Sequence, residues 1–171
     1  MDVYCQKHEE TLILEQSCVF NVAYTGIPTV YISTDENRPI ESKTESIHGQ
    51  IRIISSEYGR FETEIDIKGR GNTGWDGTPK KSYNIKLMDK HPILGMEESK
   101  KWALIDNYHD RSLLRNSYVS YLNHTILTNL GWNPSYVHVD LVLNGEYAGN
   151  YLLAERKKLR RTESVLWTYQ K

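Results

Sequence analysis

Alternation of apolar and polar residues constrains this chain more than any other feature. Val137, Val139, Leu141 and Leu143 alternate with His138, Asp140 and Val142. Asn144-Gly145 follows, and Tyr147, Gly149, Tyr151 and Leu153 return at the same spacing. An Asn-Gly pair supplies the two positive φ angles of a type I′ turn, so the pattern predicts an antiparallel hairpin. Phe61, Thr63, Ile65 and Ile67 alternate with Glu62, Glu64, Asp66 and Lys68, as in a strand with one wet face. Tyr83, Ile85 and Leu87 share a face opposite Ser82, Asn84 and Lys86. Shorter strands are expected at 29–33, 47–54 and 101–105.

One segment has helical spacing instead. Asp110 is a plausible N-cap. Leu114, Tyr118, Tyr121, Leu122, Ile126 and Leu130 follow, and Gly131 is placed to end the helix. From Arg111 to Leu130 it would run roughly 30 Å. The expected fold class is therefore α+β: an antiparallel sheet of five or more strands with one long packing helix. Residues 1–25 read as an N-terminal extension, 26–155 as the folded unit, and 156–171 as an irregular basic tail.

The chain's 171 residues suffice for one domain with a core. Its net charge of -1 gives no global reason to expect nucleic acid or an anionic membrane as partner. No run approaches 18 apolar residues, so no membrane span is expected, and residues 1–10 show no apolar leader segment. The two cysteines, Cys5 and Cys18, fit one disulfide or two free thiols equally. Six scattered histidines lack the spacing of a zinc site.

The chemistry-bearing stretch is Lys68-Gly69-Arg70-Gly71-Asn72-Thr73-Gly74-Trp75, then Pro79-Lys80-Lys81-Ser82-Tyr83-Asn84-Ile85-Lys86-Leu87. Strand, glycine loop and lysine-bearing strand form one kind of phosphate-binding hairpin. On spacing alone, a tight turn with a solvated basic edge fits better, because no Walker Gly-Lys-Ser/Thr follows. With the helix and hairpin that come next, the element order is that of a protein-kinase small lobe. Order alone fixes no function.

The residues add more. These two segments, together with Trp102-Ala103-Leu104, Asp110-Arg111-Ser112-Leu113-Leu114-Arg115-Asn116 and Leu143-Asn144-Gly145-Glu146-Tyr147-Ala148-Gly149-Asn150-Tyr151-Leu152-Leu153-Ala154-Glu155, resemble the spore coat protein H (CotH) kinase-like family. The resemblance runs from about Pro28 to Glu155. It implies an atypical kinase fold that uses ATP and Mg2+ to phosphorylate Ser/Thr-rich coat or surface proteins.

By that resemblance, Arg70, Gly71, Asn72 and Trp75 cover the ATP phosphates. Lys86 or Lys81 holds the α- and β-phosphates. Leu153 and Glu155 belong to a hinge that meets the adenine. Two departures stand out. The segment from Arg111 to Leu130 holds no Asp or Glu, so the carboxylate partner of the lysine is Asp110 or lies elsewhere. Arg115 is a phosphate candidate whose plainer role is a solvated helix arginine. The sixteen residues after Glu155 contain no Asp, whereas kinase chemistry needs a catalytic aspartate and metal ligands there. The expectation is a fragment lacking the C-terminal lobe. Its metal ligands would lie outside this chain, and its exposed face would meet the missing lobe or another copy. The alternative is a non-catalytic structural or interaction module.

Overall fold

The structure is a computed structural model that describes residues 26–126 and 135–156. Seven strands carry the fold: β1 (Thr29–Thr34), β2 (Ile47–Ser55), β3 (Gly59–Arg70), β4 (Ser82–His91), β5 (Ser99–Ile105), β6 (Tyr136–Leu143) and β7 (Glu146–Glu155). Two short helices interrupt them, α1 (Thr73–Gly77) and α2 (Arg115–Thr125). The strands close into a barrel in the order β1-β2-β3-β4-β5-β7-β6. Every neighbouring pair is antiparallel except β1 and β6, which run parallel from Thr29 beside Asp140 to Ile32 beside Leu143.

The alternating residues divide between the two sides of this wall. Ile65, Ile67, Ile85, Leu87, Trp102, Leu104, Val139, Leu141 and Leu153 are buried in one core with Val30, Ile32, Ile51 and Ile53. Side chains fill the interior, as a barrel of this size requires. Their polar neighbours in sequence point outward, so the charges of β3 and β4 lie on the outer face of the wall, whereas Glu155 on β7 is buried.

The expected hairpin is present. β6 pairs with β7, and Asn144 and Gly145 take φ of 51° and 85°. Asn144 does more than turn the chain. Its N–H donates to Ile32 O at 2.8 Å, and its Oδ1 accepts from Thr34 N at 2.9 Å and Thr34 Oγ1 at 3.1 Å. One turn residue thus fastens the hairpin tip to the end of β1, where the sheet closes.

The α+β expectation, an antiparallel sheet with one long packing helix, is overturned by this closed barrel. Two physical causes account for it. The first is the β1–β6 pairing, which joins residues more than a hundred positions apart and leaves no mark in a local pattern. The second is the helix entry. Leu113 takes φ of 59°, which breaks a helix, and α2 begins only at Arg115. Leu114, Tyr118, Val119, Tyr121 and Ile126 are exposed, so the apolar stripe does not pack on the sheet. Leu130 and Gly131, the expected helix end, lie outside the described residues.

Replacing Asn144 by Ala removes three side-chain hydrogen bonds, two from Thr34 and one to Arg38 O, and places a less tolerant residue at positive φ. A loss of about 1–3 kcal/mol is expected. Urea unfolding of Asn144→Ala beside the parent chain measures it.

Candidate functional site

Strand register assembles the outer face row by row. Asp66 pairs with Lys86, and Lys86 with Lys101. One step along, Lys68 pairs with Asn84, Asn84 with Ala103, Ala103 with Ala154, and Ala154 with Tyr136. A further step brings Arg70 beside Ser82. The face thus carries cations on β3, β4 and β5, with the small residues Ala103 and Ala154 between them and Tyr136.

An open groove of about 390 Å³ lies over these rows, lined by Lys43, Ser46, Asp66, Lys68, Asn84, Ile85, Lys86, Lys101 and Arg156. Five of those side chains are cationic and one is a carboxylate. Asp66 Oδ2 accepts from Lys86 Nζ at 3.2 Å, while His48 Nδ1 stands 3.7 Å from Asp66 Oδ1. Lys68 Nζ donates to the neutral Thr44 O at 3.3 Å. Arg156 is held in place by its own N–H, which donates to Lys101 O at 2.7 Å. The buried Asn84 Oδ1 accepts no hydrogen bond among the described residues. Positive charge in excess of its counter-charge suits an anionic ligand.

Arg70 sits at the edge of this face. Burial, and then the nearby Arg156, lowers its guanidinium below the ordinary value, with Tyr136 and Asp106 acting the other way. Asp106 is itself fixed. Ser82 Oγ donates to its Oδ2 at 2.5 Å, and Tyr108 N–H donates to its Oδ1 at 2.7 Å.

The glycine loop is built differently from a loop arched over an anion. Trp75 is buried, and its ring lies so close to Gly69 that a Cβ there would come within 2.4 Å of it. Only glycine admits that contact. Trp75 meets Tyr83 edge-on at 6.2 Å, and Lys81 Nζ donates to Trp75 O. Tyr151 Oη donates to Lys81 O at 2.9 Å. Lys81 and Trp75 thus hold each other at one end of the barrel. Gly71 and Asn72 are exposed in the loop between Arg70 and α1.

The other sequence-derived candidates separate. Asp110 and Arg115 lie together at the start of α2, with Arg115 Nε 3.5 Å from Asp110 Oδ1. The Asp110 carboxylate accepts from Ser112 Oγ at 2.7 Å, Ser112 N at 3.0 Å and Arg115 N at 2.9 Å. The Ser112 hydroxyl first, then the Arg115 amide, pulls it below the usual carboxylate range. It satisfies a helix-start N–H from four residues before the cap position. Leu153 and Glu155 are buried and face inward, Leu153 beside Leu104 and Glu155 beside Trp102. Lys86 and Arg70 are thus the two candidates that share the outer face.

Lys43, Ser46, Lys68, Asn84, Lys101 and Arg156 were not singled out from the sequence. The polar phase of the alternation marks Lys68, Asn84 and Lys86 as outward. Only the register shows that they adjoin Lys101 and Arg156.

Among the described residues, no group of three or more His, Cys, Asp or Glu is placed to hold a metal ion. No helix among the described residues is long and apolar enough to cross a membrane.

The fold is a small closed β-barrel that carries a cation-lined groove on its outer face. The family model described as CotH kinase protein matches residues 65–164, more than half of the chain. The chain belongs to the CotH kinase family. No curated protein matches it.

Because its folded-state value is depressed, Asp110 stabilises the fold fully above the unfolded carboxylate value of about 4. That contribution falls away as pH drops through the lower folded value. The stability gap between the parent and Asp110→Asn is expected to be widest near neutral pH and to shrink on acidification. Urea melts across the acid range measure it.

Proposed function

We propose that this chain binds the phosphates of ATP in the outer groove and serves phosphoryl transfer of the CotH type to Ser/Thr-rich coat or surface proteins. The observation that carries this reading is the charge of the groove: five cations line it, and two carboxylates answer them, Asp66 at Lys86 and Asp76 at Lys43. Kinase chemistry asks a protein chiefly to position phosphates and neutralise their charge. Lys86 lies mid-groove, already in an ion pair that a phosphate oxygen can replace. It suits the role better than Lys81, whose ammonium is turned away from the groove toward Trp75 O and the Trp75 ring. Lys68, Lys101 and Arg156 add charge, and Asn84 Oδ1 offers an acceptor.

Mg2+ accompanies ATP in this reading, with ligands from outside the described residues. Asp110, in turn, serves the fold as an acceptor for helix-start N–H groups rather than the lysine as a counter-ion.

A second reading has its own support. The exposed face of α2, with Leu114, Tyr118, Val119, Tyr121 and Ile126, is a large apolar surface for one short helix. Such a face suits a structural or interaction module. It equally suits an enzyme that packs against another lobe or another copy.

Titration with a fluorescent ATP analogue separates the two. The parent chain is expected to bind, more weakly as salt rises. Lys86→Ala is expected to bind about tenfold more weakly or worse, the usual cost of one charge-assisted contact. No binding by the folded parent chain would give the interaction module the lead.

A further inference from the structure

The segment Glu41-Ser42-Lys43-Thr44-Glu45-Ser46 borders the groove and carries a hydroxyl at every second residue. Two of the three hydroxyls are engaged within the segment. Ser42 Oγ accepts from Thr44 N at 3.1 Å and Glu45 N at 2.9 Å, and it stands 3.1 Å from Thr44 Oγ1. The segment is tied to β3 by Gly69 N–H, which donates to Ser42 O at 2.8 Å, and by Lys68 Nζ, which donates to Thr44 O. Of the three, Ser46 lines the groove. It is exposed and stands just before β2. Ile47 pairs with Ile67, so one step back along that register sets Ser46 beside Lys68.

The groove therefore has an accessible hydroxyl at its rim and unbalanced positive charge inside. Asp66 is shared between Lys86 and His48, and Lys43 pairs with Asp76, which leaves Lys68, Lys101 and Arg156 without a carboxylate in the groove lining. A phosphoserine carries nearly two negative charges and three acceptor oxygens. We propose that Ser46 is a phosphoryl acceptor, and that its phosphate seats in the groove and closes it to other phosphate-bearing ligands. The closing rests on the reading of the groove as a nucleotide site, whereas the seating does not.

The donor is a nucleoside triphosphate used by a protein kinase acting on this chain. Ser46 Oγ forms a bond to the γ-phosphorus. The bond from that phosphorus to the β–γ bridging oxygen breaks, and the nucleoside diphosphate leaves. The hydroxyl proton passes to solvent. The product phosphate then finds Lys68 alongside, with Lys86 on the next strand, β4, and Lys101 and Arg156 further across the same face.

The test uses the full chain with phosphoserine installed at position 46 during translation. Its phosphorus resonance is followed against pH, folded and in urea. Seating among cations is expected to draw the second phosphate pKa below its value in urea, near 6. It is also expected to raise the thermal midpoint over that of the unmodified chain, by an amount that shrinks with salt. Identical titrations folded and unfolded would overturn the seating. Fluorescent ATP analogue binding is read on both forms. A tenfold or greater loss on phosphorylation supports the closing, and equal affinity overturns it. If the unmodified chain binds no nucleotide, the functional reading and the closing fail together, and the phosphorus titration still decides the seating. Phosphopeptide mapping of the chain from its own cells is expected to find phosphate on Ser46. A map that covers Ser46 and finds none overturns its role as acceptor.

Discussion

The fold depends on the parallel pairing of β1 with β6. Without it, the remaining strands form an open sheet with two free edges, which invite pairing with other chains. With it, the edges vanish and the interior becomes a closed core. The pairing joins the first described strand to the sixth, so it must be bought with the entropy of a very long loop. Asn144 helps hold it by serving two tasks at once. It takes the left-handed turn conformation and grips Thr34 with its side chain.

Closure also sets the chemistry. A closed wall sends every second side chain inward, and the apolar residues claim that side. The charged residues of β3, β4 and β5 are left to share the outer face, where register aligns them. Asp66, Lys86 and Lys101 fall in one row, and Lys68 and Asn84 in the next. The excess of cations over carboxylates in the groove follows from which charges occupy the outward phase. The same logic removes Leu153 and Glu155 from the outer face, because each pairs with a core residue. It also explains why the glycine loop serves the barrel: Gly69 lies on the inward phase, where the Trp75 ring rests on it.

The individual strands and the Asn144-Gly145 turn were legible in the sequence because a period of two and a turn dipeptide are local signals. The outward placement of Lys86 was legible for the same reason. The barrel was not, since nothing near Thr29 announces that it will lie beside Asp140. The helix was overextended because Leu114, Tyr118, Tyr121 and Ile126 have helical spacing, whether or not anything covers them. Its true start turns on Leu113 at positive φ and on the Asp110 carboxylate, which captures the Ser112 N–H ahead of α2 and the Arg115 N–H at its first residue. The groove was half legible. Lysines on β4 drew notice beside a glycine loop, whereas Lys68, Lys101 and Arg156 gain meaning only from their neighbours across the sheet.

The most direct test of the account is an amide NMR map of the labelled chain titrated with ATP. The account places the largest shifts on the outer rows, at Asp66, Lys68, Asn84, Lys86, Lys101 and Arg156. Shifts confined to Gly71–Trp75 and Lys81, with the outer rows unmoved, would contradict it and return phosphate binding to the glycine loop.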